Sequence, residues 1–163
     1  MVKKTTQSLP SIKDLGEKMA GRKPGVKAQA QYWLIKQEPE TYSWEDFVKD
    51  GGTFWDGVRN YQARNSLRAM KVGDRALFYH SGKVPEVAGV AEVTKEAYQD
   101  PTTEDERWVV VDFKPVKALK NRVSLASIRA TAKLTELPML KQSQLSVMPV
   151  TNEQYNEILR LGT

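Results

Sequence analysis

The sequence predicts an α+β domain, a small mixed β-barrel or an α+β sheet flanked by short helices, preceded by a basic amino-terminal arm. Three observations predict it. Of the 14 aromatic residues, none precedes Tyr32 and eight fall between Tyr32 and Tyr61, so a core-forming domain begins at residue 32. Short alternating strand patterns are interspersed with short helical ones, without the repeated βα alternation of a parallel doubly wound fold. Finally, the charge is divided unevenly: residues 1–31 hold seven Lys and Arg against two acids, while the remaining 132 residues balance 18 against 18. The net charge of +5 therefore belongs to the arm. With Pro10, Gly16, Gly21, Pro24 and Gly25 and no aromatic, residues 1–31 are expected to be mostly disordered, either a solvated leader or an arm that adds sequence-independent attraction to phosphate or another acidic surface. Residues 32–163 form the folded domain.

Each element has its own signal. Tyr32–Gln37 is an aromatic and β-branched run closed by Glu38-Pro39, hence a strand. Ser43 with Asp46 forms a capping box for a short helix that Gly51-Gly52 ends. Asp56-Gly57 turns the chain. From Asn60 to Met70, Ala63, Leu67 and Met70 share one helical face, and Arg64 and Arg68 give the helix a cationic side. Arg75–His80 alternates as a strand, with Ala76, Phe78 and His80 on one face and Leu77 and Tyr79 on the other. Glu86–Thr94 is the third strand, where Gly89 marks a bulge or a close backbone approach. Arg107–Pro115 is the fourth, and its consecutive Trp108-Val109-Val110-Val111 indicates burial on both faces or a strand closing a barrel. Asp100–Glu106 reads as a solvated acidic turn. Ser124–Arg129 is a short helix, Met148–Val150 a brief strand, and Thr151 with Gln154 caps a last helix that stops at Gly162.

Composition also limits the chemistry. The chain has no cysteine and a single histidine, which removes disulfides, thiol nucleophiles and multi-histidine zinc sites. No phosphate-binding glycine loop, nucleophile elbow or metalloprotease motif occurs. His80 and Ser81 are adjacent on a strand, where neighbours point to opposite faces, so they make a poor nucleophile–base pair. His80 itself can be a satisfied strand-end residue, a hydrogen-bonding group in a pocket, or a general base. No catalytic residue, cofactor or metal is expected. Neither a membrane-spanning run nor a signal peptide is seen, so the expected location is intracellular, cytoplasmic or nuclear, with no membrane partner.

Tryptophan carries the remaining signal. Trp44 and Trp108 read as core. Trp33 and Trp55 are binding candidates, because Trp55 precedes the amide- and arginine-rich run Gly57–Asn65 and so sets a π-face beside hydrogen-bonding groups. A nucleobase, whose faces stack and whose edges need bonds, suits such a wall.

These segments together resemble a known family. Tyr32–Pro39 (YWLIKQEP), Trp55–Asn65 (WDGVRNYQARN), Gly73-Asp74, Phe78–Ser81 (FYHS) and Leu145–Val150 (LSVMPV) are similar to the successive signatures of the EVE domain, a PUA-like domain related to YTH domains. The resemblance covers residues 32 to about 162. It implies a compact mixed barrel flanked by helices, with a pocket that reads modified bases in DNA or RNA. By resemblance, Trp33 and Trp55 lie at or near the pocket, Asn60 and Tyr61 at its rim, Phe78, His80 and Ser81 along its wall, and Ser146 and Met148 close it. Arg59 and Arg64 match the motif as well, either as ligand contacts or as internal salt-bridge partners. The expected function is a monomeric, non-enzymatic reader whose aromatic pocket accepts a modified base, a 5-substituted cytosine or another methylated base, from DNA or RNA. The alternatives are an enzyme acting on a nucleotide or nucleic acid, and a small-molecule or protein-interaction module using the same pocket.

Overall fold

The computed structural model describes residues 31–163; the expected basic arm, apart from Gln31, lies outside the described residues. In chain order the elements are β1 (Tyr32–Gln37), α1 (Trp44–Asp50), β2 (Thr53–Phe54), α2 (Tyr61–Ala69), β3 (Arg75–His80), β4 (Glu86–Gln99), β5 (Val109–Ser124), α3 (Leu125–Arg129), a 3-10 turn (Ala132–Leu134), α4 (Pro138–Lys141), β6 (Val147–Val150) and α5 (Asn152–Leu161). No helix among the described residues is long and apolar enough to cross a membrane.

The strands form one sheet in the order β2-β5-β4-β3-β1-β6. Only β1 and β3 run parallel, and the crossover between them contains α1, β2 and α2, as a parallel pair requires. Of the small mixed barrel and the α+β sheet that the sequence offered, the hydrogen-bonded strands form the second, a sheet open between its edge strands β2 and β6. The physical reason is their length. β2 pairs only two residues with β5, and β6 pairs only four with β1, too little backbone to bridge the gap. Helix α2 spans it, touching β6 on one side and β4 and β5 on the other, and buries Ala63, Ser66 and Leu67 there.

Directly paired residues share a face. One face of the central pair therefore carries Trp33, Ile35 and Gln37 from β1 with Ala76, Phe78 and His80 from β3. Against it pack the aromatic rings of Trp44, Phe47 and Trp55, each with ring centroids 5.2–5.5 Å from Phe78. Gly89 lies opposite Phe78 in the ladder, where an added Cβ would sit 2.5 Å from the Trp44 ring. The close approach expected of Gly89 is thus real, and its cause is that indole. On the other face, Leu34, Leu77 and Tyr79 are buried beneath the carboxyl-terminal helices, and Tyr32 stacks on Tyr155 of α5 at 4.0 Å.

The expected caps are present. Ser43 and Asp46 bond reciprocally at 3.0 Å, Gly51 leaves α1 at φ +76°, and Thr151 with Gln154 repeats the capping box at α5. Two expectations need correction. The fourth strand does not end at Pro115 but continues to Ser124, because Pro115 falls where the β4–β5 register shifts and no ladder bond is required of it. The acidic turn is not wholly solvated: Asp100 is fully buried.

Candidate functional site

A cavity of about 190 Å³ opens at the carboxyl end of β1, lined by Gln37, Thr41, Tyr42, Thr53, Phe54, Trp55 and Asp56. Local sequence explains why these residues meet. Pro39 stops β1 just after Gln37, the turn to Ser43 carries Thr41 and Tyr42, and the left-handed Gly51 returns the chain as β2, delivering Phe54 and Trp55. Trp55 continues the β2 pairing, its N–H donating to the Val111 carbonyl at 2.9 Å. Its ring is held edge-on by Tyr42, Phe78 and Phe113. Only 4% of Trp55 is exposed, so the indole is a fixed wall, while Phe54 is 39% exposed.

The polar groups at the cavity are partly committed. The Tyr42 hydroxyl donates to Asp50 at 2.8 Å, and burial together with that carboxylate pushes the phenol up to about 12, so it stays neutral. The Gln37 amide oxygen accepts from the Glu38 N–H at 3.1 Å, while its NH2 makes no hydrogen bond among the described residues. Thr41 and Asp56 are exposed. The arrangement offers an aromatic wall, an amide donor and a carboxylate acceptor to one planar polar ring. At this size the cavity falls below the roughly 300–1,000 Å³ of drug-sized ligand sites. Among the described residues, no three His, Asp or Glu side chains converge to hold a metal ion.

The loop after Trp55 is anchored from below by Asp100. Its carboxylate accepts from the Gly57 N–H at 3.2 Å, from Arg59 Nη1 at 3.0 Å and from the Thr102 backbone and hydroxyl. Burial alone would raise this carboxyl, and the bonds from Thr102, Arg59 and Gly57 outweigh it and hold it below the usual carboxylate range. Arg59 is therefore an internal ion-pair partner. A second buried carboxylate, Asp74, accepts from Trp33 Nε1 at 3.0 Å and from the Lys71 and Gln31 amides.

Of the residues expected at a pocket, Trp55 lines this cavity. Trp33, Phe78, His80 and Met148 are buried in the core, Met148 facing Leu34 across the β1–β6 ladder. The His80 imidazole is occupied: Nε2 accepts the Trp44 N–H at 3.0 Å, satisfying a free donor at the start of α1, and burial, aided by Arg122, lowers its pKa. Asn60 caps α2 by accepting the Ala63 N–H. Tyr61 is half exposed against Trp108, its hydroxyl accepting from Arg107, with the Arg64 guanidinium 4.8 Å from the centre of its ring. Ser146 lies just before β6, its carbonyl accepting the Lys36 N–H. Ser81 lines a different recess on the opposite face of the sheet. Sequence reasoning missed Gln37, Thr41, Tyr42, Thr53, Phe54 and Asp56 as lining residues. For Gln37 a signal existed: it is the last residue before the strand-ending Glu38-Pro39 and shares the Trp33–Ile35 face.

Residues 31–161 match the EVE domain family model. The chain belongs to the EVE domain family. Human thymocyte nuclear protein 1 is 33% identical over 190 residues, covering 95% of this chain and 84% of that protein. Its crystal structure in complex with 5-methylcytosine-containing DNA superposes at TM-score 0.76 with 34% identity, covering 82% of this chain and 98% of that one. An Agrobacterium tumefaciens protein of solved structure is similar at TM-score 0.80 and 44% identity, covering 82% and 93%. The fold extends to the YTH domain of Zygosaccharomyces rouxii MRB1, with TM-score 0.55 at 15% identity over 85% of this chain and 90% of that one, a likeness of architecture alone. This EVE domain thus has the expected PUA-like fold on an open six-stranded sheet.

Proposed function

We propose that this EVE domain is a non-enzymatic reader of nucleic acid that accepts a modified base, a 5-substituted cytosine or another methylated base, in the cavity beside Trp55. The observation that carries the reading is the pairing of that cavity with family membership: a relative matched over nearly its whole domain is solved on DNA containing 5-methylcytosine, and the aromatic recess here suits one planar ring. Extruding a base costs a few kcal/mol and stacking returns about 1–3 kcal/mol per base. Because these terms are comparable, affinity must also draw on backbone contacts, and a methyl group filling the apolar part of the recess decides the preference. On the enzymatic alternative the imidazole takes no part at the cavity, being buried with its acceptor engaged by Trp44, and Asp56 is the carboxylate in the lining that would have to act as base.

The test is anisotropy titration at fixed salt with short DNA and RNA oligonucleotides that carry 5-methylcytosine, N6-methyladenine or no modification, followed by mass spectrometry of the recovered strands. Tighter binding of a modified strand, returned chemically intact, is the expected result. Equal affinity for all strands, or release of the modified base, refutes the reading.

A further inference from the structure

The second recess, of about 200 Å³, lies on the opposite face of the sheet at the same end of the β1–β3 pair. Its lining carries two cations, Lys36 from β1 and Arg129 from the last turn of α3, and no Asp or Glu. Arg129 enters no ion pair among the described residues. Lys36 is half-buried, which lowers its pKa, and its ammonium donates to the Ser143 carbonyl at 2.7 Å, leaving two of its protons for a ligand.

Tyr79 supplies an independent observation. It is 3% exposed and lines the recess, yet its hydroxyl makes no hydrogen bond among the described residues. A buried hydroxyl that lines a recess takes its acceptor from whatever occupies that recess, solvent in the free protein or an oxygen of a bound ligand. Burial pushes the phenol up to about 12, so at neutral pH it is a donor. Ser81 and the backbone at Gly82, which turns at φ +100°, complete a wall whose polar side chains are donors. Such a lining fits an acceptor-rich anion, and a phosphate group matches it in charge and in the number of oxygens.

Position identifies the source of the phosphate. Lys36 and Gln37 are consecutive and face opposite sides, so the cationic recess and the Trp55 cavity stand back to back at one strand end, and the Ser81 N–H ties them by donating to the Gln37 carbonyl at 3.0 Å. We propose that the Lys36–Tyr79–Arg129 recess binds a backbone phosphate of the strand whose modified base occupies the Trp55 cavity. This rests on the reading of the preceding subsection, and it supplies the backbone contact that base stacking alone lacks.

Two measurements on the full chain test it. The first is the dependence of log Kd on log salt for a 5-methylcytosine oligonucleotide: Arg129→Ala should lower the slope by about one relative to the unsubstituted protein, with Arg129→Lys restoring it. The second is NMR titration with inorganic phosphate, which should move the Ser81 and Gly82 amides saturably, and not in Arg129→Ala. A parallel titration with 5-methyldeoxycytidine, which has no phosphate, should instead move the Trp55 indole N–H and the Gln37 amide. An unchanged salt slope overturns the proposal, and if inorganic phosphate still binds the site serves a free anion. No shift at Ser81 and Gly82 overturns it as well. Phosphate binding without any nucleoside response refutes the base-reading cavity and the strand as source, so the two failures are told apart.

Discussion

Three consecutive residues of β3 divide the molecule into two chemistries. Phe78 and His80 face the aromatic side, where Trp44, Phe47 and Trp55 close around them; Tyr79 between them faces the carboxyl-terminal helices and a cationic recess. The aromatic side derives its shape from ring packing and from a glycine that leaves room for an indole. On the other side, among the described residues, the Tyr79 hydroxyl makes no hydrogen bond and Lys36 and Arg129 enter no ion pair. A strand buried on both faces thus packs rings on one and lines a recess on the other, and Phe78 and Tyr79 occupy those two places at adjacent positions.

Removing the centre of the aromatic side should have the largest effect. Phe78→Ala deletes a fully buried ring touched by four others, those of Trp44, Phe47, Trp55 and His80, and should cost about 3–5 kcal/mol in urea unfolding. A loss under about 1 kcal/mol would mean that the rings do not form one packed unit. Gly89→Ala adds a methyl carbon 2.5 Å from Trp44 and should cost about 1–3 kcal/mol. No loss would show that Trp44 moves away freely. A smaller effect should come from pH. His80 has a pKa below its ordinary 6.5 because it is buried and near Arg122, against the opposing charges of Glu45, Glu86 and Glu40. The unfolded chain therefore takes up the proton first: the contribution of neutral His80 is complete above pH 6.5 and declines as pH falls below it, through the lowered folded-state value. Unfolding midpoints at pH 7.5, 6.5 and 5.5 should fall in that order, and His80→Gln should flatten the trend. Tyr79→Phe should have the least effect, within about 0.5 kcal/mol, since its hydroxyl bonds to nothing among the described residues. A large loss would place a structural partner on that oxygen.

The fold was largely legible where local signals are strong. An aromatic and β-branched run closed by Glu38-Pro39 marked β1, alternation marked β3, the Ser43–Asp46 and Thr151–Gln154 boxes marked α1 and α5, and Gly89 signalled a close approach. Length and closure were less legible. A two-residue strand such as β2 has no period, and Pro115 resembles a strand end unless the register shift of its partner is known. The candidate site was legible at Trp55 and obscure around it. Gln37, Tyr42 and Asp56 come together only through the return of the chain after α1, which depends on pairing between β2 and β5. Asp100 was misread for the same reason. An acidic run looks solvated, and only the long-range bonds to Gly57 and Arg59 reveal a buried anchor.

As proposed, the cavity beside Trp55 distinguishes a modified base from an unmodified one. Phe54 tests it most directly, because this partly exposed side chain lines the cavity and can be shortened without opening the core. The measurement is the ratio of Kd values for unmodified and 5-methylcytosine-containing oligonucleotides, at one stated salt concentration, for the unsubstituted protein and Phe54→Ala. The unsubstituted protein should prefer the methylated strand, and the variant should lose about 1–3 kcal/mol in binding to that strand, with the ratio falling toward one. The same ratio in both proteins, or no preference in either, would contradict it.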